Sequence, residues 1–116
     1  MKKIKTICFD IDGVIFYISK NYIDPKPIKK NIKIINKLYK KGYIIKLHTA
    51  RYMGRTNDNK KKAEKKIKNK TIKQLSENGV MYHKIFFGKP SYDLLIDDKS
   101  LFFKNDWSKK ITQSLI

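Results

Sequence analysis

Cysteine occurs once, at Cys8, so no internal disulfide is available and the expected compartment is the reducing cytoplasm. Cys8 itself reads as a small buried strand residue. Long apolar runs are missing too. None approaches the roughly 20 residues needed to cross a bilayer, so no membrane partner is expected. The basic start, MKKIKTICFDID, imitates a secretory leader, but Asp10 and Asp12 break its apolar segment and no small-residue cleavage site follows. Arginine is scarce: Arg51 and Arg55 are the two exceptions among 28 basic residues, the rest being lysine. Base-reading proteins favour arginine forks, which speaks against sequence-specific nucleic-acid readout. Carboxylates number ten, leaving a formal net charge of +18. Such an excess fits either a nucleic-acid phosphate backbone or a coding bias that also enriches isoleucine and asparagine. The arginine shortage favours the bias.

What is present is enough for one domain, residues 1–116, with a single core: 116 residues, 41% of them apolar. β-branched and aromatic residues make a first strand over about 4–11. Gly13 permits a turn, and residues 14–27 form a loop, with a short hairpin around 14–18, that Pro25 and Pro27 stiffen. Ile28, Ile32, Ile35, Leu38 and Tyr39 recur at helical spacing over 28–41, and Gly42 stops that helix. A second strand covers 43–48, with Lys46 as its misfit, at the sheet margin or snorkelling. A polar helix over 57–78 carries the stripe Ala63, Ile67, Thr71 or Ile72, and Leu75, ending at Asn78-Gly79. Strands over 81–87 and 93–96 follow, then a short strand at 101–103 and a terminal helix from about 106. This alternation predicts an α/β fold: a Rossmann-like, doubly wound, mainly parallel sheet with helices on both faces.

The scarce carboxylates are not scattered. Asp10 and Asp12 stand in ICFDIDGV, and Asp97 and Asp98 in LLIDDKS, each pair at the end of an apolar run. Clustered carboxylates repel one another and resist desolvation unless a cation or a shared proton stabilises them. A divalent metal is the simplest answer, and oxygen ligands point to Mg²⁺ over Zn²⁺. In wound parallel sheets ligands bind at the carboxyl ends of the strands, where Asp12, Thr49 and Asp97 all fall.

In order, the chain presents Asp10-Ile11-Asp12-Gly13, Leu47-His48-Thr49-Ala50-Arg51, Gly88-Lys89-Pro90 and Ile96-Asp97-Asp98-Lys99. This set resembles the haloacid dehalogenase superfamily of phosphotransferases over nearly the whole length. The resemblance implies that Asp10 is the nucleophile, forming an aspartyl-phosphate. It makes Asp12 the general acid and then the base. Mg²⁺ would sit on the Asp10 carboxylate, the Asp12 carbonyl, Asp97 and Asp98. Thr49 and the Ala50 amide would hold phosphoryl oxygens beside Gly13, and Lys89 would offset charge on the intermediate. Val14 departs from the threonine common there, without bearing on catalysis. No insertion is large enough for a cap domain, so the likeness is to capless members with an open site. That openness suits a large substrate or a second copy of the chain acting as lid. Finer likeness, through Thr49-Ala50-Arg51, Asn78-Gly79 and Gly88-Lys89-Pro90-Ser91-Tyr92-Asp93, is to small bacterial phosphatases of capsule or lipopolysaccharide sugar synthesis.

Other residues divide between roles. Arg51 is open between substrate contact and surface, and Phe16 and Tyr17 between packing and covering a substrate. His48 and His83 read as structural or exposed. Trp107 reads as packing for the terminal helix, and the lysine run 60–70 as a solvated face. The expected substrate is thus a phosphorylated small molecule. Alternatives are a polynucleotide 3′-phosphatase and an idle basic nucleic-acid binder on the same scaffold. A signalling receiver domain is excluded because its phosphorylated aspartate would have to stand where Thr49-Ala50-Arg51 does.

Overall fold

The computed structural model describes residues 4–89, 94, 101 and 107–116. Its elements are β1 (Thr6–Asp10), α1 (Lys29–Lys40), β2 (Ile44–Thr49), α2 (Lys60–Glu77), β3 (Lys84–Phe87) and α3 (Trp107–Leu115), with short 3₁₀ turns at Lys20–Tyr22 and Gly54–Thr56. The expected fourth strand, apart from Leu94, and the short strand, apart from Leu101, lie outside the described residues, as do Asp97 and Asp98.

The strands form one parallel sheet in the order β1-β2-β3. The α/β class expected from the pattern is therefore the class observed. Each crossover is helical and both step in the same direction, so right-handed connections put α1 and α2 on one side of the sheet. The register pairs Phe9 with Leu47, Leu47 with Ile85, and Thr49 with Phe87, which sets these side chains on a common face. Ile45, Leu47, Ile35, Leu38, Leu75 and Trp107 share the core built on that face. Each such side chain contributes roughly 1.5–3 kcal/mol of hydrophobic stabilisation. Trp107 meets Phe9 edge-on at 6.1 Å between ring centroids, so it packs the terminal helix as expected.

The other face keeps Thr6, Cys8, Ile44 and Lys84 exposed. Cys8 is consequently at the surface rather than buried, because the alternation turns it away from Phe9. Lys46 lies on the middle one of the three strands, not at a margin. Its stem runs over the sheet and its Nζ stands 5.7 Å from the Phe86 ring centroid, a snorkelled cation–π contact.

Two departures inside the helices have physical causes. The second helix starts at Lys60 because Asn57 and Asp58 take left-handed φ values of 53° and 59°, and Asn59 then caps it by accepting the Lys62 N–H at 3.1 Å. On its buried stripe Thr71 is fully enclosed, whereas Ile72 is 37% exposed. A hydroxyl wins that place because it has a buried partner, described below. Among the described residues no helix is long and apolar enough to cross a membrane.

Candidate active site

At the end of β1 the chain doubles back at once. Gly13, at φ +91°, sends its N–H to the Phe16 carbonyl at 2.7 Å, and the Ile15 N–H reaches the Ile11 carbonyl at 2.8 Å. Ile11, Ile15 and Phe16 are fully buried by this turn, which leaves Asp10 and Asp12 at the rim. Phe16 is thereby a packing residue, while Tyr17 stays 59% exposed. Asn31 of α1 ties the turn down, donating from Nδ2 to the Val14 carbonyl at 2.7 Å.

The neighbouring strand ends close in beside it. Asp10 stands in register with His48. Thr49, buried at the end of β2, accepts the Arg51 N–H on Oγ1 at 3.0 Å, and its carbonyl accepts the Lys89 N–H at 3.0 Å. Asp10, Asp12, Ala50, Arg51 and Lys89 line a common cleft of about 460 Å³. The structure thus brings together every described member of the expected constellation except Gly13, which shapes the turn, and Thr49, which lies beneath. Asp97 and Asp98 lie outside the described residues.

Asp10 and Asp12 each have their own cation. Lys89 Nζ donates to Asp10 Oδ2 at 2.9 Å, while Asp10 Oδ1 accepts the Ile11 N–H at 2.9 Å. Arg51 forks onto Asp12, Nε to Oδ2 at 2.9 Å and Nη2 to Oδ1 at 2.8 Å. Its Nη1 donates to Thr71 Oγ1 at 3.1 Å and Gln74 Oε1 at 2.6 Å, which explains the buried threonine of α2. The Arg51 side chain has no exposed surface, so it reaches Asp12 from below and not from the solvent side. The repulsion between close carboxylates, which argued for a metal, is met in this part of the site by two protein cations. Among the described residues no three His, Cys, Asp or Glu side chains gather as a metal cluster. The described donors, the Asp10 carboxylate and Asp12 carbonyl, are nonetheless hard oxygens of the kind Mg²⁺ takes, and each keeps a lone pair for it.

Two groups near the cleft are shifted. Burial, then the Lys89 charge, push His48 below its ordinary 6.5, with Lys60 adding and Asp10 opposing, so its imidazole is neutral at pH 7. Cys8 reaches solvent, yet packing around its sulfur and then the Asp10 carboxylate raise its thiol above 9.0, against Lys89 and Lys46. That thiol stays protonated and unreactive at neutral pH. His83 is structural: Nδ1 accepts the Ile45 N–H at 2.9 Å, and the ring stacks on Tyr39 at 4.4 Å.

Sequence reasoning missed Tyr22, Tyr52 and Arg55, which also line the cleft. The rarity of arginine was the available signal, since Arg55 is one of only two.

No family model matches the chain, and no curated protein matches it. Among solved structures, that of a target protein from Vibrio cholerae is similar, with a TM-score of 0.77 at 21% identity over 95% of this chain and 98% of that chain. At that identity the likeness establishes a shared α/β fold, and the chemistry rests on the residues above.

Proposed function

We propose that this chain is a Mg²⁺-dependent phosphomonoester hydrolase of the capless haloacid dehalogenase type, acting on a phosphorylated sugar or related metabolite of surface polysaccharide synthesis. One observation carries the reading. Asp10 and Asp12 emerge side by side at the carboxyl rim of a parallel sheet, with Lys89 on the first at 2.9 Å and Arg51 forked on the second.

In this mechanism an Asp10 carboxylate oxygen attacks phosphorus, a P–O bond forms, and the bond to the leaving oxygen breaks. Asp12 gives that oxygen its proton. Arg51 occupies one lone pair on each Asp12 oxygen, which leaves another to carry the proton and aims the carboxyl at the cleft. Water then attacks the aspartyl-phosphate, losing its proton to Asp12, and Asp10 is released. Lys89 offsets the charge gathered at Asp10, and the Ala50 amide orients phosphoryl oxygens, while Thr49, buried beneath, accepts the Arg51 N–H and so holds that turn in place. Asp10, the Asp12 carbonyl, Asp97 and Asp98 would hold Mg²⁺, which would supply further charge neutralisation.

A phosphate-release screen over sugar phosphates, nucleotides and 3′-phosphorylated oligonucleotides tests this, with the Asp10→Asn protein as blank. Turnover that EDTA silences, Mg²⁺ restores and Asp10→Asn abolishes, in a protein that still melts cooperatively, is the expected result. Near-normal activity of Asp10→Asn removes the nucleophile, and metal-independent turnover removes the carboxylate site. The oligonucleotide arm covers a second reading, a polynucleotide 3′-phosphatase, which the charge of +18 favours.

A further inference from the structure

Part of the cleft is not used by the hydrolytic steps. Ile18, Tyr22, Tyr52 and Arg55 line it alongside the acidic pair. The two tyrosine rings lie 5.5 Å apart between centroids. The Arg55 guanidinium stands 5.0 Å from the Tyr52 centroid and 5.9 Å from that of Tyr22. Its Nη2 donates to Asn21 Oδ1, and no described carboxylate is paired with it. Arg51 is sealed inside the protein, whereas Arg55 presents a solvent-exposed cation at the same cleft.

The backbone is strained to make this arrangement. Asn21, Tyr22 and Tyr52 hold left-handed φ values of 58°, 57° and 61°. For residues other than glycine that conformation costs roughly 1–3 kcal/mol each, and it persists only where contacts over-determine it. Here Gln74 Nε2 donates to the Tyr22 carbonyl at 2.8 Å, and the Arg51 guanidinium lies 4.9 Å from the Tyr22 ring centroid. The Tyr52 carbonyl accepts the Thr56 N–H at 3.1 Å and the Thr56 hydroxyl at 2.8 Å. Core packing does not require any of it, because both tyrosines remain only half-buried.

We infer that Tyr22, Tyr52 and Arg55 form a leaving-group subsite that selects phosphorylated sugars bearing a second anionic group. The inference rests on the hydrolytic reading in one respect, the seating of the phosphoryl group at Asp10. A guanidinium fork takes a carboxylate or phosphate by two parallel hydrogen bonds, and its stacking on two rings pre-orients it for that contact. The aromatic faces suit the apolar face of a sugar ring. A cleft of about 460 Å³ holds a ligand of that size.

The test compares α-glucose 1-phosphate with α-glucuronate 1-phosphate, which differ only in a carboxylate, and with glucose 1,6-bisphosphate, in which the second anion is a phosphate. Turnover gives kcat/KM for wild type, Arg55→Ala and Arg55→Lys. Calorimetric binding of the same three compounds to Asp10→Asn, with and without Arg55→Ala, reads the subsite without turnover. Wild type is expected to prefer at least one anionic compound about tenfold or more. Arg55→Ala brings that ratio near one, and Arg55→Lys restores it in part. Equal handling of all three by wild type, or a preference that survives Arg55→Ala, overturns the subsite. Arg55-dependent binding without turnover keeps the subsite and removes the hydrolase. Turnover without Arg55-dependent discrimination does the reverse, and absence of both binding and turnover removes the subsite as well.

Discussion

Arg51 has a fully buried side chain, with hydrogen bonds to both Asp12 oxygens, to Thr71 and to Gln74. Truncating one partner of such a pair leaves the others unsatisfied, at about 3 kcal/mol. Arg51→Ala should therefore lower the melting temperature by ten degrees or more. Arg51→Lys should recover little of it, because an ammonium cannot fork onto a carboxylate. Arg55→Ala, at an exposed side chain, should stay within about 1 kcal/mol of wild type in the same melts. His48 makes a second prediction. Its folded form binds a proton less readily than the unfolded chain, so its contribution is complete above about 6.5 and declines as the pH falls through that value. Urea midpoints from pH 7 down to 5 should fall less steeply in His48→Asn than in wild type. Identical slopes would show that His48 carries none of the effect. At this scale the residue types were legible and their partners were not. Arg51 stood out by rarity, yet nothing in its neighbours says that it would reach Asp12, 39 positions away.

Among the elements, α1 was read almost to its ends, over 28–41 against Lys29–Lys40, because an apolar stripe and a following glycine are local signals. The start of α2 was misplaced, since left-handed Asn57 and Asp58 leave no trace in hydrophobic pattern. Gly88 closes β3 at φ +96°, and a Cβ built there would meet Lys60 Cγ at 2.5 Å and Cδ at 2.8 Å. Gly79 has φ +65° with nothing within 4 Å. Gly79→Ala should thus cost backbone strain alone, about 1 kcal/mol, and Gly88→Ala distinctly more, by urea unfolding. Gly88→Ala should also depress turnover beyond its stability effect, because it would displace the neighbouring Lys89 from Asp10.

Over the whole molecule the charge of +18 has few described counterweights. The helical pairs Glu64–Lys68, at 3.8 Å, and Lys73–Glu77, at 3.9 Å, are exposed enough to contribute little. Self-repulsion should therefore outweigh pairing, and added salt should screen it. Raising NaCl from about 50 to about 500 mM should increase the urea midpoint. A decrease would mean that ion pairs dominate instead. This prediction needs no partner, since it follows from composition and the exposure of lysines 61, 62, 65 and 66.

Order and type of the described strands and α-helices were determined by the sequence alone, because alternation, helical periodicity and glycine stops act over a few neighbouring residues. The same is true of which side chains could carry chemistry, since carboxylates and arginines are rare enough here to be noticed. Tertiary structure decided which cation meets which carboxylate, why Thr71 and not Ile72 is enclosed, and that Tyr22 and Tyr52 flank Arg55. Those pairings join segments up to 79 residues apart, and only the crossovers of the sheet bring such segments within hydrogen-bonding distance.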